Sequence, residues 1–306
     1  MHLPEPVPER PEPAPTSAGR ESGREPDAGL GRGVLHPARA AELISVQRLA
    51  PEPAVARFVE CYWLVRWDLS GRPPYEQKVL AHPNVHLVFE APRPRVYGVD
   101  RALFVRRLEG VGHALGAKFR PGAFRSFAGH PVSALADRSV PAATYFGAEV
   151  DRLNARILGE PGAEPAAEPA AGRATATEPV ADSYAALVDE FLRPRLPAPD
   201  PAAEEAAAVV ERITASPGLC RVDELARELG VTVRSLQRLF SEYVGAPPKW
   251  VLRRARLHEA AERAARAGGL DLAALAVELG YADQAHLTRD FTAAVGVPPA
   301  HYAGSR

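Results

Sequence analysis

The sequence predicts an α+β chain: a mainly-β N-terminal domain followed by an all-α C-terminal domain in which two helix-turn-helix units are joined by a long helix. Three observations carry that expectation. Residues 43–140 hold short apolar runs of strand length divided by Pro and Gly, the last third repeats one helical pattern about 50 residues on, and two Pro-rich stretches separate regions of different composition. At 306 residues the chain is long enough for two cores and their linkers.

Residues 1–40 are expected to be a disordered tail. Through residue 33 they are rich in Pro, Glu, Arg and Gly and carry few large apolar side chains, too few to offset the entropy of ordering. No apolar stretch follows Met1 as a signal peptide would, and none elsewhere nears the roughly 18–20 residues that span a bilayer. A soluble, cytoplasmic protein with no membrane partner is expected. Cys61 and Cys220 fall in different expected domains and form no cluster, which suits a reducing compartment and two buried, inert thiols.

Residues 41–158 are expected to form the β domain. Strand candidates are Leu43 to Leu49, Phe58 to Trp67, Val85 to Phe89, Val96 to Val99, Phe104 to Leu108 and Leu115 to Phe119. Their aromatic and β-branched content suits a pleated, half-buried surface, mainly antiparallel, with a barrel as one form it could take. His82, His86, Glu90 and His113 have a spacing reminiscent of metal ligands, but Pro83 and Asn84 argue for a turn between the two histidines, and no metal or other cofactor is expected. Nor is a catalytic residue: the sequence has no nucleophile elbow, Gly-rich phosphate loop or CxxC pair.

Val150, Leu153, Ile157 and Leu158 suggest a helix that closes the β domain. Residues 159–181 string Glu, Pro, Ala, Gly and Thr together and read as a linker. Tyr184, Leu187, Val188, Phe191 and Leu192 then mark a connecting helix within 182–200, ending near Pro194, and Val209, Val210 and Ile213 mark another at about 202–215. Whether these helices pack on a domain or meet a second subunit is open at this level.

Residues 201–306 are expected to form the helical domain. Leu225-Ala226-Arg227-Glu228-Leu229-Gly230 returns 50 residues on as Leu275-Ala276-Val277-Glu278-Leu279-Gly280; after a one-residue slip in the turn, Leu236, Arg238 and Phe240 match Leu287, Arg289 and Phe291 at an offset of 51. Gly230 and Gly280 can end a helix at positive φ, and Thr232 and Asp283 can cap the helix that follows. With Leu236, Leu239, Phe240, Leu287 and Phe291 turned inward, the outward positions are Arg234, Ser235, Gln237 and Arg238 in one copy. In the other they are Gln284, Ala285, His286, Thr288 and Arg289. Two helices joined by a short Gly-containing turn set a recognition helix into the major groove. There arginine can bond both acceptors of guanine and glutamine the donor-acceptor pair of adenine, each contact giving about 1–3 kcal/mol of discrimination.

The run Leu225 to Trp250, the basic segment Trp250-Val251-Leu252-Arg253-Arg254-Ala255-Arg256-Leu257 and the run Leu275 to Tyr302 resemble the DNA-binding domain of the AraC/XylS transcription regulators over roughly residues 205–303. The most telling part is Leu279 through Phe291, Leu-Gly-Tyr-x-x-Gln-x-His-Leu-x-Arg-x-Phe. The resemblance implies a bridging helix from about Pro248 to Ala267 and recognition helices in successive major grooves on one face of the duplex. One departure bears on where the second recognition helix starts: the family commonly has Gly and an apolar residue after the Tyr, whereas here Ala282 is followed directly by Asp283. The resemblance also implies an N-terminal effector-binding or dimerisation domain, often a cupin-like barrel, with Gly116 to Phe124 the best-defined piece of a weaker likeness there.

Residues 221–306 hold twelve Lys and Arg against ten Asp and Glu, so contact with phosphates must come from local clusters. The expected DNA contacts are Arg234, Ser235, Gln237, Arg238, Gln284, Ala285, His286 and Arg289, with Arg253 and Arg254 on the bridge. Expected partners are double-stranded promoter or operator DNA, a small-molecule effector, RNA polymerase if the protein activates, and a second copy in a homodimer. The alternative, a DNA-repair methyltransferase sharing this DNA-binding module, needs a zinc cluster of several cysteines, which two separated cysteines cannot supply.

Overall fold

Two boundaries differ from those expected in the computed structural model, which describes residues 32–159, 178–266 and 271–304. Residues 32–40 of the expected tail are folded, with Leu35 and Ala40 buried and a short helix, α1, at Pro37–Ala41. Residues 178–181 of the expected linker belong to the connecting helix. The rest of the tail, 1–31, and of the linker, 160–177, lie outside the described residues.

The β domain contains β1 (Ile44–Leu49), β2 (Val59–Asp68), β3 (Tyr75–Leu80), β4 (His86–Phe89), β5 (Arg95–Tyr97), β6 (Leu103–Leu108), β7 (Val111–Phe119) and β8 (Ser139–Pro141). Six form an antiparallel sheet in the order β1-β2-β7-β4-β5-β8, while β3 pairs with β6 in a second sheet. The sequence reading missed β3 and β8. Tyr75-Glu-Gln-Lys-Val-Leu is half polar and Ser139-Val-Pro is too short for a periodic signal, so their pairing partners hold them extended.

Alternation gives the large sheet two faces. Tyr62, Leu64, Leu87, Phe89, Leu115, Ala117 and Phe119 enter one core, covered by α2 (Arg125–Ala128), α3 (Ala143–Phe146), α4 (Glu149–Leu158) and α5 (Glu178–Leu192). The helices on either side of the linker thus pack on the β domain. A buried hydrogen bond from the Tyr62 hydroxyl to Asp189 Oδ1, 2.7 Å, ties α5 down. The opposite face, with Trp63, Val65 and Trp67, turns toward β3 and β6, and the two sheets line an open cavity of about 1760 Å³ to which Val210, Thr214 and Glu262 also contribute. They share no ladder, so the expected barrel is an open one.

The helical domain comprises α6 (Pro201–Ala215), α7 (Val222–Glu228), α8 (Val233–Leu239), α9 (Pro248–Arg266), α10 (Leu272–Glu278), α11 (Gln284–Val295) and α12 (Pro299–Gly304). Asp200 caps α6 and Asp271 caps α10 through side-chain bonds to backbone N–H groups. The long α9 divides two cores. Ile213, Leu225, Leu236, Phe240 and Leu252 fill one; Leu257, Leu275, Leu287, Phe291 and Tyr302 fill the other. Each such side chain contributes about 1.5–3 kcal/mol by leaving water.

The two domains share these cores. Leu35 and Leu80 are buried with the second repeat, and Val99 with the first. Arg32 forms ion pairs with Glu259 and Glu262 on α9 at 2.7 and 3.0 Å.

Candidate nucleic-acid interface

Each second helix of the repeat starts at a cap that the sequence specifies. Thr232 accepts from Ser235 N at 3.0 Å and Asp283 from His286 N at 2.6 Å, satisfying donors that a helix start leaves without partners. Gly230 and Gly280, both at φ 67°, reverse the chain before them. The second turn is one residue longer, with Tyr281 and Ala282 standing between Gly280 and Asp283 where Val231 alone separates Gly230 from Thr232. That fixes the start of α11 at Gln284 despite the departure from the family pattern.

The caps and cores together set which side chains face outward. Arg234, Gln237 and Arg238 are exposed on α8 and Ser235 is half-buried; on α11, Gln284, Ala285, His286 and Arg289 are exposed. Charge pairing distinguishes these helices from their neighbours. Arg221, Arg227, Arg263 and Arg266 all have carboxylate partners, on Asp223, Glu224, Glu278 and Glu262. Among the described residues from 221 onward, the exposed cations that form no salt bridge are Arg234, Arg238, Lys249 and Arg289. An uncompensated, solvated arginine is the form that neutralises a phosphate or bonds a base edge.

The two bridge arginines are placed differently. Arg253 Nε pairs with Asp290 Oδ1 at 2.7 Å, so its charge is engaged with α11. Arg254 is not on the outer surface at all. It is 4% exposed, its guanidinium lies 4.5 Å from the Trp250 ring centroid, and its Nη2 donates to the Arg101 carbonyl of the β domain at 2.8 Å. Burial lowers its pKa to about 10, which leaves it charged at neutral pH. The reason is helical phase: with Val251, Leu252 and Ala255 turned to the core, residue 254 falls on the side of α9 that meets the β domain.

Sequence reasoning overlooked a network that orients α11. The Tyr281 hydroxyl donates to Asp290 Oδ2 at 2.9 Å, the Arg256 guanidinium lies 4.5 Å from the Tyr281 ring centroid, and His286 meets that ring edge-on at 5.1 Å. Its only sequence signal is the Tyr of the Leu-Gly-Tyr motif. Lys249, exposed at the start of α9, was also missed.

The candidate metal ligands have other engagements. His82 Nε2 is 2.9 Å from the Arg32 carbonyl, His86 Nδ1 accepts from Trp63 Nε1 at 3.1 Å, Glu90 pairs with Arg106 at 2.8 Å, and His113 Nε2 is 2.9 Å from the Ile157 carbonyl. Among the described residues no cluster of three or more His, Cys, Asp or Glu could hold a metal ion. Both thiols are half-buried rather than buried. Cys220 donates to the Gly218 carbonyl at 3.0 Å. No helix among the described residues is long and apolar enough to cross a membrane.

Residues 225–305 match the family described as "Helix-turn-helix domain", and residues 47–141 match a "Domain of unknown function (DUF6597)". No curated protein matches the chain. Among solved structures, the C-terminal domain of AraT, a response regulator from Geobacillus stearothermophilus, is 24% identical over 32% of this chain and 85% of that one, with a TM-score of 0.29. An AraC-type DNA-binding domain-containing regulator from Chromobacterium violaceum is 21% identical over 31% and 86%, with a TM-score of 0.29. ToxT from Vibrio cholerae, in a structure described as bound to an unsaturated fatty acid, is 9% identical over 85% and 94%, with a TM-score of 0.38.

Two capped helix-turn-helix units, strung on one long helix and matched by that family, define the C-terminal region as a double helix-turn-helix DNA-binding domain.

Proposed function

We propose that this protein regulates transcription by setting α8 and α11 into adjacent major grooves of an asymmetric operator, under control of a small molecule bound by the β domain. The observation that carries the reading is the pairing pattern: among the described residues the exposed arginines outward on α8 and α11 form no salt bridge, while Arg221, Arg227, Arg263 and Arg266 on or beside the neighbouring helices do. Arg234, Ser235, Gln237 and Arg238 face one half-site and Gln284, Ala285, His286 and Arg289 the other, so two different half-sites are read. Arg253 holds α11 to α9 through Asp290 and stays close enough to the surface to meet a phosphate. The span of α9, about 28 Å at 1.5 Å per residue, is of the order of one duplex turn. The cavity between the sheets offers the effector its place, and the cores shared between domains offer the route by which occupancy alters presentation of the DNA-binding helices. RNA polymerase, if the protein activates, and a second copy of the chain complete the proposed partners.

The test is binding of a promoter fragment by fluorescence anisotropy across a salt series. Arg238→Ala and Arg289→Ala should each lose about 1–3 kcal/mol and reduce the salt slope by about 1 if a phosphate is the contact, or relax sequence preference if a base is. Unchanged affinity and preference in both variants would refute the assignment.

A further inference from the structure

The floor of the inter-sheet cavity is unusual for a strand surface. Trp63 and Trp67 lie on the same face of β2, and each is paired in register with a glycine of β7, Gly116 and Gly112. A Cβ on Gly116 would stand 2.1 Å from the Trp63 ring, and one on Gly112 2.5 Å from the Trp67 ring. The glycines let both indoles lie flat on the sheet as plates, about 13 Å apart along the strand. Trp63 is fixed in its plane by the bond from its Nε1 to His86 Nδ1, 3.1 Å. This acceptor role requires a neutral imidazole, and burial keeps His86 so by pushing its pKa down to about 3.

Charge in the cavity is nearly balanced. Glu90, almost buried, is paired with Arg106 at 2.8 Å and accepts from the Tyr97 hydroxyl at 2.5 Å; Glu60 is paired with Lys118 at 2.8 Å. Of the charged side chains on the strands themselves that line the cavity, Arg48 alone forms no ion pair among the described residues; beyond the strand ends Arg120, Arg138, Asp100 and Glu211 also line it outside any salt bridge, two cations against two carboxylates. It is the cross-strand partner of Trp63, which sets the two side chains next to each other on one face of the sheet. On the facing sheet, Gln77 is 7% exposed and its amide oxygen has no hydrogen-bond partner. Around Trp63 the lining therefore presents flat apolar surface, an unpaired arginine on the neighbouring strand, and one buried acceptor on the facing sheet.

We infer that the cavity takes a planar, largely apolar monoanion, its ring stacked on Trp63, its carboxylate or equivalent anionic group on Arg48, and a hydroxyl or N–H of its own directed to Gln77. A cationic ligand would suit the indoles alone, but Glu60 and Glu90 are already neutralised by Lys118 and Arg106. This inference rests on the reading of the β domain as the effector domain and adds the chemical class of the effector.

Isothermal titration of the full-length protein with 2-naphthoate, 2-naphthamide and 2-naphthylmethylammonium separates the alternatives. Naphthoate should bind roughly tenfold or more tightly than the amide, and the amine should bind most weakly. Arg48→Ala should abolish the preference for acid over amide while leaving amide binding unchanged. Trp63→Leu should weaken acid and amide alike. The inference is overturned if the amine binds best, if Arg48→Ala leaves the acid preference intact, or if none of the three probes binds. Anisotropy of the same protein preparation on promoter DNA is read separately. Loss of sequence-selective binding there would sink the regulator reading, whereas normal DNA binding with no naphthoate binding would sink the ligand class alone.

Discussion

His82, in the turn after β3, and His258, in the middle of α9, stack face to face with ring centroids 4.0 Å apart and planes within 13°. The contact joins the β domain to the DNA-binding domain, with His258 buried and His82 half-buried. His82 Nε2–H donates to the Arg32 carbonyl, while Arg32 itself reaches Glu259 and Glu262. Arg254, Lys118 and His86 also face the pair, so a proton added to either ring meets positive charge as well as lost water.

Acid should therefore destabilise the docked structure. Burial lowers the pKa of His82 to about 3 from its ordinary 6.5 and holds His258 well below that same value. The unfolded chain binds the protons that the folded one refuses, so this stability is complete above pH 6.5 and is lost as pH falls toward about 3, by up to about 1.4 kcal/mol per pH unit for each ring. Urea midpoints at pH 7 and pH 5 measure it, and His258→Gln should flatten the dependence.

Arg254→Ala should act on stability and domain coupling. It removes a buried charge-assisted bond to the Arg101 carbonyl and the stack on Trp250, together worth about 2–4 kcal/mol. Thermal melting should show the loss, while the salt slope of DNA binding stays that of the wild type. A slope reduced by about 1 would return Arg254 to the DNA interface.

The two hinge glycines should respond unequally to substitution. Both sit at φ 67°, where any side chain costs about 1–2 kcal/mol, but a Cβ at Gly230 meets nothing within 4 Å and one at Gly280 would lie 2.2 Å from Cys220 Sγ. Gly280→Ala should cost about 1–3 kcal/mol more than Gly230→Ala in urea unfolding, and adding Cys220→Ala should recover most of the difference.

The caps can be tested by the same method. Thr232→Ala and Asp283→Ala should each destabilise by about 1 kcal/mol, with Thr232→Ser nearly neutral in the first case. Because both caps set where the outward residues begin, each alanine variant should also weaken promoter binding, visible as a raised Kd by anisotropy.

Much of the helical domain was legible because its signals are local. Gly, cap and apolar spacing recur within about fifteen residues in each copy, and those determine where α8 and α11 start and which residues they turn outward. Most strands announced themselves through aromatic and β-branched runs. β3 and β8 did not, since what holds them is a partner strand distant in sequence.

The sequence by itself determined the helices of the repeat, the duplicated unit and the outward sets at 234–238 and 284–289, because each depends on periodicity within one helix and its cap. Only the tertiary structure decided the fate of neighbours on α9. Arg253 and Arg254 are adjacent and identical in type, yet one pairs with Asp290 at the surface and the other is buried beneath Arg101. Their difference is a 100° step around a helix whose sides meet different partners, and that environment is assembled from residues 37 and 153 positions away.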